Sequence, residues 1–393
     1  MIFNRMAENI FRNMMQKYPV ITIMGPRQSG KTTLAEMVCA DYPYFNLEDP
    51  KTREIILADP RDFFKRYSNG VILDEIQHAP ILLSYIQPLV DKKKQNGLYI
   101  LTGSHQPEIH EAISQSLAGR TAILELLPLC IAELKSGHIA LSENEWMLQG
   151  FYPKIYHDQL NATDVYRDYV KTYLERDVRQ LINLKDLLLF QRFMKLCAAR
   201  TGTILNYNNL ANEVGVSYHT ISHWMSVLKA SYLIDFVPPY FENINKRVIK
   251  SPKMYFTDVG LVAYLLEIES LSQIDYHPLR GQLFETMVAN ELMKTRFNQG
   301  REHHLYYYRD SQKNEVDLIY KKGAELIPIE IKSSHTFATD FLKGINTFLK
   351  LNENTKNICG QSYLVYAGDE EFSIKDTCVI HYAKAASIVA ENV

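Results

Sequence analysis

Apolar and polar positions change period several times along this chain. Ile2, Met6, Ile10 and Met14 recur every fourth residue in an otherwise polar start, which predicts an amphipathic helix. Val20–Met24, Val71–Leu73 and Leu98–Leu101 are short apolar runs set between turn residues, the pattern of strands buried on both faces. Helical stretches separate them, so the pattern predicts an α/β unit with a parallel sheet, ending near Leu127. Residues of about 128–205 read as helical, as in "DVYRDYVKTYLERDVRQLINL". Leu210–Val214, Gly215 and a helix capped by Ser217 and running to Lys229 then predict a helix-turn-helix. "LIDFVPPY" and "KMYFTD" follow as candidate strands of a wing. From Leu279 the helix "GQLFETMVANELMKTRF" leads into the strand-rich "HLYYYRD", "NEVDLIYKKGAELIPIEIKSS" and "SYLVYAG". The expected division is therefore 1–127, 128–278 and 279–393.

Composition narrows this only a little. The 393 residues suffice for two or three domains, and 46% hydrophobic with 22% charged residues is ordinary for a soluble globular chain. The formal net charge of −2 supplies no global pull toward nucleic acid, so any such contact must use a local patch. Five scattered cysteines without a C-x-x-C pair argue against a disulfide framework or thiolate zinc site and suit a reducing compartment. The polar amino-terminal stretch lacks the apolar core of a signal peptide, and no run of about 18 apolar residues exists. The expectation is a cytoplasmic protein with no membrane contact.

The sharpest chemistry is "GPRQSGKT" between the first strand and a helix. Its spacing fits the phosphate-binding loop G-x-x-x-x-G-K-[ST]. Backbone N–H groups of Gly25, Pro26–Arg27–Gln28–Ser29 (proline excepted), Gly30, Lys31, Thr32 and Thr33 would surround the phosphates of ATP, aided by the helix dipole. Lys31 would neutralise the β- and γ-phosphates, and the Thr32 hydroxyl would ligate Mg2+. "VILDE" ends a buried strand in Asp74 and Glu75, at the edge where such sheets bind ligands. Asp74 would hold Mg2+ through water, and Glu75 would act as the base on the attacking water. Ser104 in "LTGSHQ" reads as a group that holds the lytic water or senses the γ-phosphate, or as turn chemistry. Arg120 in "SLAGR" reads either as an arginine finger into a neighbour's site or as an ion-paired surface arginine. The finger reading requires a homo-oligomer or a protein partner.

In the hairpin at 314–334, side chains alternate between faces. That groups Ile327, Ile329 and Ile331 apart from Glu330 and Lys332, and Val316, Leu318 and Tyr320 apart from Glu315, Asp317 and Ile319. A two-residue loop at Gly323-Ala324 pairs Lys322 with Glu325 and sets Asp317 opposite Glu330; a loop at Lys322-Gly323 leaves them diagonal. The two carboxylates either share Mg2+, with Lys332 orienting or deprotonating a water, or decorate a solvated strand face. In the helix-turn-helix, Tyr218, His219, Thr220, Ser222 and His223 can touch DNA, with Lys246, Arg247, Lys250 and Lys253 as a modest basic patch. The alternative is a helical segment that packs on protein.

Taken in order, "GPRQSGKTTL", "LDEIQ", "LTGS", "SLAGR" and "YLERDV", then "GQLFETMVANEL" and "EVDLI…IEIKSS", resemble the AAA-type ATPases of bacteria and archaea with a C-terminal DUF4143 domain. The resemblance covers essentially the whole chain and departs at "GFYP", where a second glycine is expected. It implies ATP binding, a winged-helix segment and a C-terminal domain similar to the restriction-endonuclease-like PD-(D/E)XK nucleases. It also implies that Glu285, on the helix before the hairpin, joins Asp317, Glu330 and Lys332 at a metal site. The expected protein is an α/β P-loop ATPase using ATP and Mg2+, coupled to DNA binding or processing by a nuclease-like domain. The alternative is a nucleotide-driven switch that recruits proteins through an inactive nuclease-like domain.

Overall fold

The computed structural model describes residues 2–103, 113, 115–174, 187–241, 251–353 and 358–391. They pack as two compact units. One is Met1–Leu129 with Ala230–Tyr232 and Phe297–Arg301; the other is Cys130–Lys229, Leu233–Arg296 and Glu302–Val393.

The first unit is built on strands β1 (Val20–Met24), β2 (Tyr44–Asn46), β3 (Val71–Asp74), β4 (Tyr99–Gly103) and β5 (Thr121–Glu125), in the order β2-β3-β4-β1-β5. All neighbours are parallel. The apolar runs form strands because both sheet faces are covered. Ile21, Ile23, Ile72 and Ile100 pack on one side with α1 (Glu8–Lys17) and α2 (Lys31–Val38). Val20, Leu73 and Leu101 pack on the other with α3 (Pro50–Ala58), α4 (Pro60–Arg66) and α5 (Leu82–Lys93). β4 lies between the strand that leads into the glycine-rich loop and the strand that ends in Asp74. Both motifs therefore open on the carboxyl edge of the sheet. The first helix starts later than its apolar spacing suggested: Ile2 and Met6 are 60% and 49% exposed, and Phe3, Ala7 and Phe11 make the buried stripe.

The second unit begins with the short helices α6 (Ile131–Ser136), α7 (Glu143–Gln149), α8 (Pro153–His157) and α9 (Ala162–Tyr169). At the departure in "GFYP", Gly150 has φ 65°, and a Cβ there would lie 2.1 Å from the Tyr166 hydroxyl. The next residue, Phe151, donates its N–H to Asp258 (2.7 Å). After α10 (Leu187–Ala198), the predicted helix, turn and helix appear as α11 (Tyr207–Val214) and α12 (Tyr218–Ala230). Gly215 turns between them at φ 86°, and Ser217 caps the second by accepting from Thr220 N–H (3.1 Å). A small antiparallel sheet, β6-β8-β7, joins β6 (Thr203–Ile204), β7 (Ile234–Val237) and β8 (Lys253–Phe256). Helices α13 (Val259–Leu265) and α14 (Leu271–Tyr276) lead to α15 (Arg280–Phe297), most of whose middle residues are buried.

The remaining sheet contains β9 (Leu305–Arg309), β10 (Glu315–Lys322), β11 (Glu325–Lys332), β12 (Ile358–Cys359), β13 (Ser362–Tyr366), β14 (Phe372–Ile374) and β15 (Thr377–His381), with α16 (Lys343–Asn352) against β10 and β11. Its order is β14-β15-β13-β11-β10-β9, with β12 beside β11. The hairpin has the Gly323-Ala324 loop: Lys322 pairs with Glu325, and the ladder runs to Leu318–Ile329. Gly323 takes φ 63°, as a turn of this type requires. Strict alternation fails on β10. Its register against β9 slips between Val316 and Ile319, and both residues enter one apolar cluster with Tyr240, Leu326 and Phe348. Nor is the hairpin a solvated ribbon, since β11 is central in the sheet and Leu326 to Ile331 are buried.

Candidate functional site

The glycine-rich loop leaves β1 and turns directly into α2. A Cβ on Gly25 would stand 2.2 Å from the Leu126 carbonyl oxygen, so only glycine fits against that strand exit. Gln28 and Gly30 take φ 60° and 93°, which curls the loop. Lys31 is buried and donates to the carbonyls of Gly25 (3.1 Å) and Pro26 (2.8 Å). Burial pulls its ammonium down to about pKa 8, against the opposing pull of Glu75 and Asp74. Arg27 is buried with its guanidinium 3.9 Å from Glu48, while Gln28 and Thr33 are exposed. Within the same loop, the buried Ser29 hydroxyl has no hydrogen-bond partner. Arg5, which sequence reasoning passed over, clamps the loop from outside by donating to Ser29 O (2.6 Å) and Leu127 O (2.7 Å). Gly25→Ala is expected to cost about 1–3 kcal/mol of stability through overpacking. The check is a lowered Tm together with weakened nucleotide binding.

Asp74 gathers three hydroxyls. Thr32 donates to its Oδ1 (2.9 Å), Tyr44 to its Oδ2 (2.7 Å), and Thr102, from the end of β4, bonds it as well. Thr102 also accepts the Glu75 N–H (3.3 Å), so one side chain fixes both acids. Glu75 sits at φ 56° and its carboxylate is bonded by Gln77. A hydroxyl and a carboxylate side by side, next to a buried ammonium, are the donor set that Mg2+ with phosphate takes. Thr102 stands in the "LTGS" stretch that drew notice to Ser104; Ser104 itself lies outside the described residues. Arg120 lies at the opposite edge of the sheet, where its carbonyl accepts from Val20 N–H as β1 begins. It forms a two-pronged pair with Asp91 (2.6 and 2.9 Å), which is the ion-paired alternative.

In the second unit, Glu285, Asp317, Glu330 and Lys332 do converge, but around lysines. Lys253 Nζ is 2.8 Å from Glu315 Oε1, 3.2 Å from Glu285 Oε1 and 3.8 Å from Asp317 Oδ1. Tyr255 donates to Glu285 Oε1 (2.5 Å). Asp317 accepts Ile331 N–H (2.9 Å), continuing the hairpin contact past the end of the ladder. Lys332 Nζ lies 2.6 Å from Glu330 Oε1 and 3.6 Å from Asp317 Oδ2. Glu330 Oε2 is buried, has no hydrogen-bond partner and faces Gly344. Among the described residues, no group of three or more His, Cys, Asp or Glu is disposed to hold a metal. The expected set Glu285, Asp317 and Glu330 thus stands about two lysines: Lys253 lies between Glu285 and Asp317, and Lys332 between Asp317 and Glu330.

Burial pushes the Glu285 carboxyl up, opposed by Lys253. It pushes Glu330 up to about 8, with Asp317 adding to the effect. Burial alone would lower Lys253 and Lys332. Their acidic neighbours outweigh it, Glu285 first for Lys253 and Asp317 first for Lys332, so both stay ammonium ions. The predicted basic patch changes too. Lys253 is only 2% exposed, and Lys246, Arg247 and Lys250 lie outside the described residues. Tyr218, His219 and His223 do stand exposed on α12.

Residues 17–135 match the family model of an AAA domain, 142–272 that of a domain of unknown function (DUF8612), and 280–385 that of a domain of unknown function (DUF4143). The chain thus carries an AAA domain of the P-loop ATPase type and, C-terminal to it, a DUF4143 domain. It is similar to uncharacterized proteins of Mycobacterium bovis and Mycobacterium tuberculosis, each 29% identical over 385 residues, which is 96% of this chain and 83% of the relative. Among solved structures, a Walker-type ATPase of Pyrococcus abyssi matches with a TM-score of 0.45 at 14% identity, covering 67% of this chain and 96% of that one. AMPPCP-bound DnaA from Aquifex aeolicus matches with a TM-score of 0.31 at 15% identity, covering 57% and 85%. No helix among the described residues is long and apolar enough to cross a membrane.

Proposed function

We propose that this protein is a Mg2+-dependent ATPase turned over by Lys31, Thr32, Asp74 and Glu75, and that its C-terminal part is a binding platform worked by the nucleotide cycle. The observation that carries the first half is the 2.9 Å contact between Thr32 and Asp74 beside Lys31 and Glu75, on the carboxyl edge of a parallel sheet. The loop N–H groups cradle the phosphates, and Lys31 moves from the loop carbonyls onto phosphate oxygens. Thr32 and Asp74 are the residues that would hold Mg2+, which when bound neutralises phosphate charge. Glu75 takes the proton of the attacking water once Gln77 releases it, while Thr102 keeps Asp74 and the Glu75 backbone in place. We keep Ser104 as the γ-phosphate sensor and give Arg120 the structural role of its pair with Asp91.

The second half is favoured by the lysine within the carboxylate cluster. We keep three parts, 1–127, 128–278 and 279–393; the matched segments 17–135, 142–272 and 280–385 support that number, with the first running past 127. We read α11 and α12 with β7 and β8 as the winged helix-turn-helix, with DNA or protein meeting the exposed face of α12. Phosphate release from ATP, measured with Mg2+, with EDTA and in Thr32→Ala, tests the ATPase. Release is expected only in wild type with Mg2+, and release that survives EDTA or the substitution would refute the site. DNA and RNA incubated with Mg2+ or Mn2+, with and without ATP, are expected to stay intact; cleavage abolished by Asp317→Ala would refute the platform.

A further inference from the structure

The nuclease-like resemblance asks for a divalent metal between Glu285, Asp317 and Glu330, and the described residues do not fit one. What stands there is a side chain from another part of the fold. Lys253 starts β8, in the small sheet with β6 and β7, yet its ammonium lies among acids of α15 and β10. It is as buried as a core leucine, and Glu285 is further tied to β8 by Tyr255. Burying an ammonium is unfavourable unless it is paired and hydrogen-bonded. Here Glu285 and Glu315 lie within hydrogen-bond distance and Asp317 adds a third negative charge at 3.8 Å, and three carboxylates so close need a cation in turn. Mg2+ would need the same oxygen lone pairs at about 2.0–2.1 Å. Two cations at that separation repel in a site with little water.

We infer that Lys253 is the resident cation of this cluster: it closes the site to divalent metal and pins β8 to α15 and β10. While β8 stays in its sheet, Glu285, Glu315 and Asp317 are satisfied by their own chain. Taking the ammonium away leaves a cluster of three half-buried acids that binds a divalent ion. The inference rests on the binding-platform reading, but its readout is metal binding and not cleavage.

Lys253→Met keeps the stem and removes the charge. The full-length protein without nucleotide is titrated with Mn2+, followed by electron paramagnetic resonance and thermal unfolding. Wild type is expected to bind no Mn2+ that Asp317→Asn removes. Lys253→Met should melt lower than wild type, regain Tm with Mn2+, and bind it roughly tenfold more tightly or better. Adding Asp317→Asn should cancel that gain. Lys253→Arg, which keeps the charge and guards against a misfolded variant, should behave as wild type. Wild-type Mn2+ binding that depends on Asp317, or a folded Lys253→Met without new Mn2+ affinity, would overturn the inference.

Discussion

Glu75→Gln is expected to bind ATP as well as the parent and to lose roughly 10²–10⁴-fold in kcat, the range of a general base. The substitution is nearly isosteric. It keeps the shape that φ 56° and the Thr102 contact impose on residue 75 and removes only the proton acceptor. Phosphate binding does not use this side chain, so KM should hold while kcat falls. The Glu75 carboxylate is bonded by Gln77, two residues on. For Glu75 to act as that base, the Gln77 bond must be given up during turnover. Steady-state phosphate release beside equilibrium nucleotide binding checks the split, and an unchanged kcat would remove Glu75 from the base's role.

Local features were legible in the sequence where the chemistry is local. The phosphate loop is one contiguous spacing, and its neighbouring strand has no polar face to confuse it. The hairpin register followed from a single glycine, because a two-residue loop at Gly323 fixes every pair behind it. Readings failed where the deciding partner lies far along the chain. Lys253 looked like a wing lysine because a charge read alone says nothing of Glu285, Glu315 and Asp317, 32 to 64 positions later. Arg5 and Tyr44 were passed over for the same reason, since each acts through one long-range hydrogen-bonding contact with the loop or Asp74. Alternation on β10 misplaced Val316 because a slip against β9 leaves no mark in the local pattern.

Lys31→Ala should lower kcat/KM for ATP by roughly 10²–10³-fold, on the scale of losing one preorganised cationic or hydrogen-bonding group at developing charge. Its pH dependence makes the prediction specific. The ammonium is buried, faced by Glu75, Asp74 and Arg27, and gives up its proton at about 8 in place of 10.5. Phosphate prefers the charged form, so ATP affinity should fall as pH rises through about 8, approaching tenfold per unit above it. Proton uptake should accompany binding near that pH. Stability of the empty protein must run the other way. The unfolded chain holds this proton more tightly, so between about pH 8 and 10.5 the folded state gains as pH rises. Below 8 both states are protonated and the term is flat. Calorimetric titration in buffers of different ionisation enthalpy, at pH 7, 8 and 9 (roughly one pKa unit either side of the transition), checks affinity and proton uptake together. Lys31→Ala should flatten both, and a parent whose affinity ignores this range would show that Lys31 does not meet the phosphates as an ammonium.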